Sequence, residues 1–397
     1  MAVVIRPDAT QAATGSGPAG RAKEIRVRVR SFNRDDAVLL AASIVSSFFL
    51  VLIVFQGLIP GSGPLAFAFW WYVAFVVMYW LAVRRVHGRL IAKDRTWAVL
   101  IMSAALAMVV PLTLVIGYVI YQGIGVITPH FFTQTVEYCG QLDPPRCGGV
   151  GHAIIGSVEQ VGIALLIAVP LAVLAAVFLN EIGGRLKRPL FLVVDAMTGV
   201  PSIVAGLFIY ALWVVGLLRG FSGFAASLAL AILMLPTITR LSAEVLRLVP
   251  DGLREGALAL GASEWRTVWS VVLPTARSGL ITAVILGVAR AAGETAPLLL
   301  TAFGSSAYNA NPFSGTQEAL PHFVYQYIRF NPGTGPYQRA WGAAFVLVFL
   351  VLGLFTLARV LGARTSIEGR QRRAAKRDKR RRANAGRGLG LAGGSES

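Results

Sequence analysis

Arg290 and Glu294 stand inside Gly279–Phe303, a mostly apolar run of membrane-spanning length. A charge at the centre of a membrane span costs about 2.5–3.5 kcal/mol on insertion scales. Four apart on one helix, the two share a face and can pair. One reading is a pair that holds helices together or meets charges on a partner subunit. The other is transport: Arg290 meets an oxyanion in transit, because a planar guanidinium matches such oxygens in a bidentate way. Glu294 then holds and partly neutralises it between cycles, and Thr295 is the neighbouring polar group on the same path. Gly293 lets another backbone approach, and Pro297 breaks the helical ladder and frees a carbonyl. Arg240 and Glu244 repeat the spacing in Phe221–Leu246, close enough to an end for snorkelling, so structural and pathway roles both fit. Asp195 and Glu159 read as packing or interface residues.

A second pattern lies outside the apolar runs. Glu255–Pro274 reads EGALALGASEWRTVWSVVLP. Leu253, Ala257, Leu260 and Ala262 can lie on one side of a short helix. Gly261 offers a helix stop and a tight turn. Trp265, Val268, Trp269 and Val272 predict a second helix with an apolar face, ended by Pro274. Two short surface helices suit docking to a soluble partner, and they equally suit lying on lipid.

The elements that position these residues are apolar helices. The chain has 397 residues, of which 55% are hydrophobic and 14% charged. A soluble protein carries about a quarter charged residues, so a soluble globule is excluded. A span needs about 20 apolar residues. Eight runs qualify: Val38–Ile59, Leu65–Val83, Trp97–Tyr121, His152–Leu179, Leu190–Leu217, Phe221–Leu246, Gly279–Phe303 and Ala340–Val360. The first is too long for a signal peptide and follows a polar arm. Loops 84–96, 180–189 and 247–278 are rich in Lys and Arg, whereas 122–151 carries only Arg146 and 304–339 only Arg329 and Arg339. By the positive-inside rule the basic loops and both termini are cytoplasmic. The net charge of +18 is placed beside spans and in a tail, 364–397, with 11 Lys/Arg and three acids. That placement favours contact with anionic lipid over nucleic acid.

Cys139 and Cys147 lie in the loop CGQLDPPRC on the side opposite the basic loops. They can close a disulfide there or remain two free thiols. Metal-ligand spacing is absent, so no metal or cofactor is expected. No Gly-x-x-x-x-Gly-Lys-Ser/Thr run occurs, so the chain is not expected to be an enzyme, and ATP must be bound and hydrolysed by another subunit.

The segment at 251–274 resembles the EAA loop of ABC importer permeases, through Glu255, Ala257, Gly261, Leu273 and Pro274, with Gly256 in place of the usual Ala. GGVGHAIIGS (148–157), PLAVLAAVFLNE (170–181), GVPSIVAGLF (199–208), LMLPTITR (233–240) and ARAAGETAPLLLTA (289–302) resemble the phosphate-specific permeases, and the last is more like the PstA type than the PstC type. The resemblance spans roughly 150–365. It implies an all-α, multi-pass inner-membrane protein with a type I permease core of six helices at 97–363. Two extra spans at 37–90, a disordered cytoplasmic arm at 1–36 and the basic tail depart from that pattern. It further implies that loop 251–274 is the coupling element entering an ATPase groove, and that the Arg-x-x-Gly-Glu positions, Arg290 and Glu294, serve transport. The partners it implies are a PstC-like permease, PstB-like ATPases and an extracytoplasmic PstS-like phosphate-binding protein. Competing readings are a permease for sulfate or molybdate, an ion-gradient-driven carrier, which has no use for an ATPase-docking loop, and a membrane scaffold that signals phosphate status.

Overall fold

The computed structural model describes residues 34–57 and 63–365, and the described residues form helices and no named strand. Nearly all of the basic tail and of the N-terminal arm lies outside them. The chain divides into two compact units, Met1–Leu114 and Val115–Ser397. The division falls within a helix that runs from Arg89 to Gly123.

The first unit holds α1 (Arg34–Gly57), α2 (Pro64–His87) and most of α3 (Arg89–Gly123). The basic stretch 84–96 is therefore not a loop. Gly88, at φ +83°, makes the whole break, a conformation glycine adopts without a steric penalty. Tyr79 and Val83 of α2 pack with Ala92 of α3. Asp36 of α1 is buried and pairs with Arg95 at 2.5 Å.

The second unit holds α4 (Gly151–Val177), α5 (Lys187–Thr198), α6 (Ser202–Ile209) and α7 (Gly223–Arg247), followed by α8 (Asp251–Ala259), α9 (Glu264–Thr267) and α10 (Leu273–Ala291), and then by α11 (Ala296–Thr301), α12 (Leu320–Tyr327) and α13 (Gly335–Thr365). Its centre is the α4–α7 seam, where Ala164, Ala168 and Ala172, four apart on one face, pack against Leu230, Met234 and Ile238. In lipid, helices associate through close packing rather than hydrophobic transfer, and small residues permit it.

Among the described residues seven helices are long and apolar enough to cross a membrane, or eight if a bent pair counts as one span. That pair is the expected fifth span. α5 meets the helix at Ser202–Gly216 at 104°, because Pro201 pushes the preceding residue out of the helical region. The expected seventh span is likewise corrected. The helix ends at Ala291 and resumes only at Ala296, so Gly279–Phe303 is not one rod. α6 crosses α11 at Gly206, where a Cβ would come within 2.6 Å of the Cα of Pro297. Two motifs distant in sequence thus meet backbone to backbone.

Outside the bundle, Cys139 and Cys147 are joined by a disulfide. Arg339 of α13, fully buried, donates to the carbonyls of Gly140, Pro144 and Cys147 across that loop. It is a structural clamp rather than an exposed loop charge.

Candidate functional site

The segment after α7 is built as two helices and a turn. Pro250 leads into α8, and Asp251 sits in its first turn, where an acid complements the helix dipole. Gly261 lies at φ +84°. The amide of Ala262 donates to Ala257 and that of Gly261 to Leu258, at 3.1 and 2.9 Å, the paired bonds of a Schellman stop. The Ser263 side chain then accepts from the amide of Arg266 and starts α9.

One expectation for this segment changes. Pro274 does not end the second helix, which is continuous from Glu264 to Ala291. A π turn at Val268–Val272 precedes the proline. Widening the ladder there accommodates the missing N–H and the ring, as helix irregularities beside proline do. The apolar side of α8 is left unburied by this chain, the exposure that docking or lipid contact needs: α8 buries no residue, and Leu260 is 91% exposed. In the following helix the apolar residues divide. Val268 and Val272 are buried against α4 and α7 residues, whereas Trp265 and Trp269 stand exposed, their rings edge to face at 5.5 Å.

What holds α8 is a charge. Arg254 donates from Nε and Nη2 to Glu181 at 3.0 and 2.9 Å, and from Nη1 to Asp251 at 2.7 Å. The hydrogen bond to Glu181 holds the guanidinium pKa above its ordinary value. Glu255, Gly256 and Leu258, on the same helix, face outward.

Arg290 lies in the last turn of α10 and is exposed on the surface of this chain. Glu294 lies in the break, its amide bonded to the carbonyl of Ala291 at 3.1 Å, and Thr295 stands immediately before α11. The expected Arg290–Glu294 ion pair is not formed. The one-face geometry of an i, i+4 pair needs a continuous helix, and this helix stops between them. Among the described residues neither side chain has an ionic or hydrogen-bond partner. Arg240 differs: its Nη1 donates to Asp195 of α5 at 2.9 Å, and Glu244 lies 4.0 Å away. Asp195, Arg240, Glu244 and Arg247 line a pocket of about 110 Å³.

The residues brought together here are not all those marked by sequence. Glu181 and Arg254, separated by 73 positions, carried no pattern linking them. The available signal was an acid at the end of an apolar run and a basic residue directly before Glu255.

The profile of binding-protein-dependent transport system inner membrane components matches residues 168–367. The phosphate transport system permease protein PstA of Mycobacterium leprae is 39% identical over 275 residues, covering 69% of this chain and 90% of that one. PstA of Haemophilus influenzae is 39% identical over 244 residues, covering 60% and 83%. Among solved structures, an inward-facing form of the MetNI methionine ABC transporter aligns with a TM-score of 0.45 at 21% identity, over 55% of this chain and 94% of that chain. With a family profile matched across half its length and these relatives, the chain belongs to the binding-protein-dependent transport system inner membrane components, among the PstA-type permeases.

Proposed function

We propose that this chain is the membrane permease subunit of an ATP-driven importer of inorganic phosphate. It forms the path with a PstC-like permease, receives phosphate from an extracytoplasmic PstS-like binding protein and is driven by PstB-like ATPases. The observation that carries the reading is the likeness to PstA proteins over most of their length. Support for the coupling role comes from α8, an outward-facing helix with no buried residue of its own and unpartnered apolar side chains. ATP hydrolysis resides in the separate subunit. Arg290, Glu294, Thr295 and Arg240 line the path: a charged side chain at membrane depth faces water, a partner or a substrate rather than lipid. Both termini are cytoplasmic in this reading, which the positive-inside rule supports with the bent pair counted as one span.

The test is uptake of labelled phosphate by cells lacking their own phosphate permease, supplied with this chain and its companion subunits. Uptake that needs an intact ATPase, and that excess sulfate or molybdate does not inhibit, is the expected result. Sulfate- or molybdate-inhibited uptake would reassign the substrate, and uptake independent of the ATPase would reassign the class.

A further inference from the structure

The end of α4 nearest α8 carries two polar residues that the transport path does not use. A π turn at Phe178–Ile182 presents Asn180 and Glu181. Asn180 donates to the carbonyls of Ala176 and Ala243, at 3.1 and 3.0 Å, and accepts from Nε of Arg247 at 3.1 Å. Glu181, whose side chain is 8% exposed, takes the two-armed contact from Arg254. The same guanidinium donates to the carbonyls of Leu246 and Val249, at 2.9 and 2.8 Å, where α7 ends. One side chain of α8 therefore grips the end of α4 and the end of α7 at once, while α8 has no buried apolar face to do so.

We propose that the Glu181–Arg254 pair is a positioning contact that carries displacement of α8 into α4 and α7, and so sets how much transport each hydrolysed ATP yields. The inference rests on the coupling reading of α8. A helix attached only through its flanking turns would yield at Pro250 and Gly261 when pushed. A bidentate guanidinium–carboxylate contact fixes both distance and angle, which a point charge does not. α4 then delivers the movement along its length. In its other half Glu159 and Gln160 bond Gln317 of the opposite loop at 2.6 and 3.0 Å, and the alanine seam ties α4 to α7 between those residues and Glu181.

The experiment uses the complete complex in proteoliposomes and measures phosphate moved per ATP hydrolysed, with Glu181→Gln, Arg254→Gln and Arg254→Lys. The ATPase should co-purify and hydrolysis continue, while the ratio falls at least about fivefold in the two Gln variants, the low end of ordinary coupling free energies. Arg254→Lys should fall between. An unchanged ratio in assembled Gln variants overturns the inference. So does failure of both to assemble, which would make the pair a contact that holds the fold. The coupling reading is checked separately by cross-linking Leu260→Cys to the ATPase with 181 and 254 unaltered. Absence of that cross-link overturns the coupling reading, and the inference with it. A cross-link together with an unchanged ratio overturns the inference alone.

Discussion

Replacing Arg290 by Met separates a transport role from a structural one. In a helix-stabilising ion pair, removing one partner strands the other, at a cost of about 3–5 kcal/mol. Here α10 stops at Ala291 and Arg290 has no ionic partner among the described residues of this chain, so Arg290→Met strands nothing within it. Membrane insertion should not suffer, since Arg290→Met removes a charge from the last turn of α10 and adds none. Two charge-assisted hydrogen bonds to a passing oxyanion contribute roughly 3–6 kcal/mol together. Their loss should therefore cut uptake by about a hundredfold or more. Arg290→Lys should recover part of that, as a charge without the planar fork. The assay is phosphate uptake in proteoliposomes, with thermal stability and subunit assembly measured on the same preparation. Assembled Arg290→Met with wild-type uptake would refute the reasoning. Loss of stability with loss of assembly would refute it too, by showing that the arginine holds the subunits together.

Gly261→Trp meets open space at Cβ but must adopt φ +84°, which costs an L-residue about 1–2 kcal/mol; the variant should insert normally and lose stimulated ATP hydrolysis, as read by ATPase assays on the complex. Gly206→Val should lower thermal stability in detergent by about 1–3 kcal/mol through overpacking against Pro297, whereas Gly117→Ala, with no atom within 4 Å of its Cβ, should not. Cysteines introduced at Tyr308 and Arg185 should react with impermeant reagents from opposite sides of the membrane; same-side labelling would contradict the proposed orientation.

The sequence by itself determined the material and the class. Apolar runs of spanning length identify an all-helical membrane protein, because hydropathy is read from neighbouring residues, and the resemblance of the motif residues implies a permease. The turn at Gly261 was legible for the same reason: a left-handed stop needs only glycine and its local hydrogen bonds. The tertiary structure decided where helices break and what each charge meets. Helical continuity through Pro274 depends on a π turn that no spacing announces, and an Arg290–Glu294 pair follows from a periodicity that holds only while the helix continues. Gly206 facing Pro297, Arg339 gripping the disulfide loop and Glu181 holding Arg254 join residues far apart in the chain. Such contacts form only when packed helices bring those groups together. A hydrogen bond acts over about 3 Å in space, and separation along the sequence carries no record of that distance.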